Sequence, residues 1–249
     1  MLSGISRDRN LIVSDLEKLD SLNDYEFYQL PKSMQLAFST RPVRVTVLDD
    51  KSDYGVRFDL FERLNTGGVL LTPQEIRNCI FRGRLNDQIK ELSKNIEFND
   101  VVNLKLADQN NGTKEEFVLR FFAFFDNYTI FDHSVKDFLN DYMKVNQGKK
   151  IPDHKIRIFK ETFKFIKKSM PSGINRGGRK VTPVNLYEAV AVGTALALTQ
   201  NKSLPTDVLT DAVENSRLKR FITAATNSNR MVVGRIDFIK DRLLSNPLE

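Results

Sequence analysis

The spacing of apolar residues changes along the N-terminal third of the chain. The stretch from Ile12 to Leu22 carries apolar positions at nearly helical spacing with acidic interruptions, which predicts a short or loose element. Pro31 suits the first turn of a short helix that continues to Phe38. From Val43 to Val47 apolar and polar residues alternate, and this period of two predicts the only convincing strand in the chain.

Beyond this strand the apolar residues follow the period of amphipathic helices. Thr72 can cap a helix, Pro73 suits its first position, and Glu75 completes a capping box, so one helix is predicted to begin there. Residues 65–68 would end the preceding helix, because asparagine and glycine tolerate positive φ. The other helices are predicted over residues 56–64, 115–125, 134–145, 153–170 and 183–199, followed by two or three shorter ones up to residue 244.

Aromatic and apolar clusters in these helices indicate where the core lies. At helical spacing, Phe117, Phe121 and Phe124 form a wide apolar face with Leu119, which is typical of packing rather than of base stacking. The helix over residues 183–199 is apolar nearly all round and is expected to be buried centrally.

Together these patterns predict a mainly α fold, a helical domain with a small α+β part on its N-terminal side that contains one or two strands. The predicted division places the α+β part in residues 1–110 and the helical domain in residues 111–249. No apolar run approaches the roughly 20 residues that span a bilayer, and no apolar segment follows the charged N-terminus. We therefore expect a cytoplasmic protein that does not insert into a membrane.

Cysteine and histidine are scarce in the chain. Cys79 is the single cysteine, so no internal disulfide can form, and His133 and His154 are the only histidines. This composition lacks the soft ligands of a zinc site. We expect no structural metal.

The net charge of +6 is concentrated in the C-terminal part of the sequence. Residues 1–110 hold 15 lysines and arginines against 17 acidic residues, whereas residues 111–249 hold 23 against 15. Between Lys150 and Lys180, which we call the basic strip, ten basic residues face only Asp153 and Glu161. A polyanion such as DNA is a natural partner for this strip, and a merely solvated helix face is the alternative.

The candidate DNA-binding residues lie on the outward side of the predicted helix 153–170 and on the glycine-rich loop after it. Apolar residues from Ile156 to Met170 form the buried stripe of this helix. Binding by such an array should be sensitive to salt and largely independent of sequence. The candidates are Lys160, Lys164, Lys167, Lys168, Arg176, Arg179 and Lys180.

Residues 58–78 contain a Phe-x-Arg-x-Asn element, then Thr-Gly-Gly, then Leu-Thr-x-x-Glu-Ile-Arg-Asn. This segment closely resembles the signature of the GmrSD-type restriction endonuclease N-terminal domain family. A weaker similarity extends over most of the first 145 residues. The resemblance implies that residues 1–110 are part of a ParB-like α+β region, and that the protein serves a restriction-type defence system.

The family also has an Asp-Gly-Gln-Gln-Arg loop and, in many members, a fused HNH-type nuclease. Neither feature is present in this sequence, since His133 and His154 stand apart from HNH-like neighbours. Three explanations for the missing loop stay open: Met1 is a true start that discards that half, it is an internal start, or the chain is shortened. We expect no cleavage by this chain alone and assign no catalytic residue.

The Thr-Gly-Gly segment is also a candidate phosphate site. Consecutive backbone N–H groups in residues 65–68 can form an anion-binding concavity, and the helix beginning near Thr72 adds a positive dipole end. The alternative is that Arg63 pairs with Glu62 or Glu75 and that the glycines only cap a helix. The resemblance implies a nucleotide site, with a nucleoside triphosphate and Mg as possible cofactors. Its candidate residues are Arg63, Asn65, Thr66, Gly67, Gly68, Glu75, Arg77 and Asn78.

These observations predict a component of a restriction-type anti-phage system that binds nucleic acid or a nucleotide. A partner subunit would supply the nuclease. Two alternatives remain: an NTPase or nuclease subunit completed by a missing segment or a partner, and a protein-interaction module or inhibitor derived from such a system.

Overall fold

The computed structural model describes residues 5–6, 9–10, 12–43, 54–64, 70–132, 134–178, 180–223 and 226–245. The chain divides into two compact units, Met1–Lys51 and Ser52–Glu249. The second unit continues across residue 110, so the helices on both sides of that position share one core. The division of the sequence at residue 110 stays a prediction about its α+β and helical regions.

The described residues of the first unit include two very short strands, two 3-10 turns and one α-helix. Strands β1 (Ile5–Ser6) and β2 (Arg9–Asn10) pair antiparallel, and helix α1 (Lys32–Ser39) begins directly after Pro31. Pro31 is the N-cap of α1, one position before the predicted one. In the predicted strand from Val43 to Val47, only Val43 belongs to the described residues.

The second unit is helical. We number its helices α2 to α13. They are α2 (Tyr54–Leu64), α3 (Pro73–Ile80), α4 (Arg84–Leu92), α5 (Ile96–Val101), α6 (Thr113–Asn127), α7 (Val135–Asn146), α8 (Asp153–Ser169), α9 (Val184–Tyr187), α10 (Gly193–Gln200), α11 (Val208–Glu214), α12 (Ser216–Ile222) and α13 (Asn229–Leu244).

The predicted mainly helical fold is confirmed. The predicted helices agree with the structure to within about two residues, which is the usual uncertainty of helix ends. Helices α4 and α5 were not among the predicted ones, and α13 has 16 residues although only short helices were expected there. The segment 183–199 was predicted as one helix, but a π-helical turn, Glu188–Val192, lies between α9 and α10.

The core is dominated by aromatic side chains, as the sequence predicts. Phe121 and Phe122 on α6 are buried, and the ring centroid of Phe121 lies 5.1 Å from that of Phe159 on α8. Phe159 and Phe163 have centroids 4.6 Å apart, and Phe98 of α5 contacts Phe163 edge to face. Since this cluster holds the apolar side of α8, the basic side of the helix points to solvent.

A row of alternating charges crosses the interior of the second unit. Arg77 of α3 pairs with Glu116 at 3.0 Å, and Glu116 pairs with Arg120 at 2.7 Å. Arg120 pairs with Glu188 at 2.6 Å, and Glu188 also pairs with Arg235 of α13. These ion pairs connect α3, α6, the π-helical turn and α13, and we call this set the charge network.

Acid is expected to destabilise the protein through Glu116. Burial by itself raises the pKa of Glu116, but Arg120 and Arg77 outweigh it, so this pKa lies below its ordinary value of 4.5. A carboxyl group with a lowered pKa stabilises the folded state at higher pH and loses that contribution as the pH falls through the folded-state pKa. Urea unfolding at about pH 7 and about pH 3 should show a lower free energy of unfolding in acid.

The variant Glu116→Gln should show a smaller loss of stability between these two pH values than the wild type. Glu91→Gln, which removes an exposed carboxylate on α4, is the matched control and should keep the wild-type dependence. An equal dependence in Glu116→Gln and Glu91→Gln would contradict this role of Glu116.

Candidate nucleic-acid interface

The Thr-Gly-Gly segment lies between α2 and α3. Arg63 is exposed in the last turn of α2, whereas Asn65, Thr66, Gly67 and Gly68 fall outside the described residues. The predicted helix start is confirmed. The Thr72 hydroxyl accepts from the Glu75 backbone N–H at 3.2 Å, and the Thr72 backbone N–H donates to Glu75 Oε2 at 2.8 Å.

The candidate residues on α3 already have partners within the chain. The carboxylate of Glu75 lies at the N-terminus of α3, where a bound anion would otherwise benefit from the helix dipole. The Arg77 side chain is only 2% exposed and donates to Glu116 and Asn140. Asn78 accepts from Gln74 at 3.1 Å. These contacts account for Glu75, Arg77 and Asn78 without a bound phosphate. The phosphate-binding role of these three residues stays a prediction.

Helix α8 presents the lysines of the basic strip to solvent. Its candidates Lys160, Lys164 and Lys168 are exposed, and no carboxylate in the described part of the chain pairs with them. We call these three lysines the basic face. Lys167 differs, because its ammonium group lies 2.5 Å from Asp100, and this hydrogen bond raises the pKa of Lys167.

The loop after α8 is fixed at both ends. The Ile174 backbone N–H donates to the Val101 carbonyl at 2.7 Å, and the Thr182 N–H donates to the Asn103 carbonyl at 2.8 Å. Gly173 has φ +86, and a Cβ atom there would lie 2.4 Å from Asn103 Nδ2. Only glycine fits this position. Because the two backbone hydrogen bonds hold both ends of the loop, the loop has a defined path before any ligand binds.

Arg176 is held in place on this anchored loop. Its Nη2 donates to the Glu214 carbonyl at 3.0 Å, and its Nε lies 3.5 Å from Glu214 Oε2. Lys180 is exposed, and Arg179 lies outside the described residues. The structure thus brings Arg176 to α11 and α12, a neighbourhood that the sequence did not predict.

A cavity of about 280 Å³ lies beside Arg176. Lys219 of α12 lines it together with Arg176 and the Gly177 backbone, and Pro183, Leu186 and Ile222 supply apolar wall. Lys219 was missed because it lies far from the basic strip in the sequence. The positive charge of this region therefore includes residues outside the strip.

Another cavity, of about 440 Å³, has a different character. Asp132, Asp137 and Asp141 line it together with apolar side chains of α7. Across the described residues, no three histidine, cysteine or acidic side chains are grouped so that they could hold a metal ion. An acidic wall of this kind repels phosphate, so this cavity does not extend the basic region.

No family model matches the chain, and no curated protein or solved structure matches it significantly. The resemblance to the GmrSD-type family therefore stays a prediction that depends on residues 58–78. Among the described residues, no helix is both long and apolar enough to cross a bilayer.

Proposed function

We propose that the chain binds the phosphate backbone of DNA through the basic face of α8 and the anchored loop that carries Arg176 and Lys180. The observation that carries this proposal is the exposure of Lys160, Lys164 and Lys168 without carboxylate partners in the described part. Their charge is available to a ligand, unlike that of a lysine neutralised by an ion pair.

The geometry of α8 supports contact with several phosphates. Lys160, Lys164 and Lys168 recur every four residues, so they succeed one another about 6 Å apart along the helix axis. Neutralising several phosphates releases counterions from DNA, and this release drives binding that is independent of sequence. The buried phenylalanines hold the opposite side of α8, so the lysines are presented from a rigid helix.

In its wider context, we propose that the chain is a DNA-binding component of a restriction-type defence system and that a partner subunit carries the nuclease. This part depends on the resemblance of residues 58–78. A nucleotide with Mg at the Thr-Gly-Gly segment would depend on Arg63 and on residues 65–68, since Arg77 is occupied by the charge network.

The double variant Lys160→Gln/Lys164→Gln should bind a short DNA duplex about ten-fold more weakly than the wild type at low salt. Each lost phosphate contact makes the slope of log affinity against log salt about 0.9 less negative. The loss of two contacts should therefore make the slope about 1.8 less negative. Fluorescence anisotropy titrations between about 50 and about 200 mM salt measure both quantities.

The matched control is Lys32→Gln/Lys202→Gln, which removes the same charge from two exposed lysines that lie outside the basic strip and form no ion pair in the described part of the chain. It should keep most of the affinity and of the salt slope. If both double variants lower the affinity and the slope equally, the ligand responds only to net charge and the proposed interface is wrong.

A further inference from the structure

The carboxylate of Glu214 receives its contacts from the anchored loop. Its Oε2 lies 3.5 Å from Arg176 Nε, and its Oε1 accepts from the Gly177 backbone N–H at 3.3 Å. Gly177 and Gly178 have φ +61 and +71, the left-handed region that favours glycine. A guanidinium and a glycine N–H converging on one anionic group are the donors that proteins use for phosphate.

Glu214 is held loosely at this position. Its side chain is 57% exposed, whereas that of Arg176 is 17% exposed, so the carboxylate is the more accessible partner. Both contacts are longer than a strong charge-assisted hydrogen bond of about 2.8 Å. An anion that offers more oxygens than a carboxylate can therefore compete for the same donors.

The neighbouring cavity adds a second cation. Lys219 lines the same 280 Å³ cavity as Arg176 and Gly177, and it forms no ion pair with any carboxylate in the described part of the chain. Glu214 contacts Arg176 and Gly177 but does not line this cavity, so its carboxylate pairs with Arg176 alone. A phosphate that replaced it and extended into the cavity would meet both Arg176 and Lys219. The difference favours exchange of the carboxylate for a phosphate.

We infer that Arg176, Gly177 and Lys219 form a phosphate-binding site, that the Glu214 carboxylate holds the Arg176 and Gly177 donors in the free protein, and that a phosphate group of the nucleic acid displaces it from them. This inference rests on the proposed function and names one contact within it. Both a backbone phosphodiester and a terminal phosphate monoester have the required chemistry. Glu214 lowers the affinity for either one, because the ligand must first break its contacts.

The variant Glu214→Gln in the full chain should bind a DNA duplex about three- to five-fold more tightly than the wild type, the size expected for loss of one exposed ion pair. The gain should vanish in Glu214→Gln/Arg176→Gln, because the site then lacks its guanidinium. Duplexes with 5′-hydroxyl and 5′-phosphate ends distinguish the two sources: an equal gain indicates the backbone, and a larger gain for the phosphorylated duplex indicates the terminus.

The matched control is Asp211→Asn, which removes an exposed carboxylate from the same helix, one turn before Glu214. An increase as large in Asp211→Asn as in Glu214→Gln would overturn the inference, because it would reflect net charge alone. Circular dichroism of every variant verifies that the fold is retained.

Inorganic phosphate separates this inference from the proposed function. Calorimetric titration of Glu214→Gln with phosphate should show binding that Arg176→Gln abolishes, whether or not the chain binds DNA. Phosphate binding without DNA binding would refute the proposed function and keep the site. If DNA binding depends on Lys160 and Lys164 but Glu214→Gln binds DNA no more tightly than the wild type, the phosphate site is refuted and the proposed function is kept.

Discussion

Replacing Glu188 by alanine is expected to lower the free energy of unfolding by about 3–5 kcal/mol. Glu188 bridges Arg120 and Arg235, and the side chains of Glu188 and Arg235 are 2% and 1% exposed. Without it, two guanidinium groups remain buried with fewer partners, and their desolvation is no longer offset. Urea denaturation at neutral pH measures the loss.

The control for this variant is Glu161→Ala, which removes an exposed carboxylate from α8 and should change stability by less than about 0.5 kcal/mol. A loss below about 1 kcal/mol in Glu188→Ala would show that the charge network contributes little to stability.

Replacing Phe163 by alanine should also cost about 3–5 kcal/mol of unfolding free energy. Phe163 is fully buried and its ring contacts Phe98, Phe159 and Tyr187. The variant would leave a cavity under α8, the helix that carries the basic face. Thermal and urea unfolding measure the loss of stability, and DNA titration of the folded variant measures its effect on binding.

Phe165→Ala is the matched control, since Phe165 lies on the same helix but is only half-buried. It should cost about 1 kcal/mol, the central value for single substitutions. Equal losses in Phe163→Ala and Phe165→Ala would show that the aromatic cluster is not what holds α8 in place.

Local signals in the sequence predicted most of the helices. Thr72 and Glu75 form the capping box that their spacing indicates, and the apolar stripe of α8 is buried as its period requires. Helix α4 also carried such a signal, because Leu85, Ile89 and Leu92 recur at helical spacing and are buried. Helix α5 has six residues, which is too short for its period to be recognised.

The sequence could not predict which candidate residues already have partners, because these partners come from distant parts of the chain. Arg77 looked available to a phosphate, but its partner Glu116 lies 39 positions away in the chain. Glu214 and Lys219 approach Arg176 only because α11 and α12 fold back against the loop after α8. The basic character of α8 could be predicted, since each exposed lysine follows from the helical period.

The π-helical turn between α9 and α10 sets the register of two contacts with α13. Glu188 and Gly193 are five residues apart, so a regular α-helix at about 100° per residue would point them about 140° away from each other. Yet Glu188 pairs with Arg235, and a Cβ atom on Gly193 would lie 2.8 Å from the Ile236 carbonyl oxygen. The wider turn, with its hydrogen bonds to the fifth residue, lets both positions face one neighbour. Adding or removing one residue there would rotate one contact away from α13, so the length of this turn is constrained more tightly than its side chains.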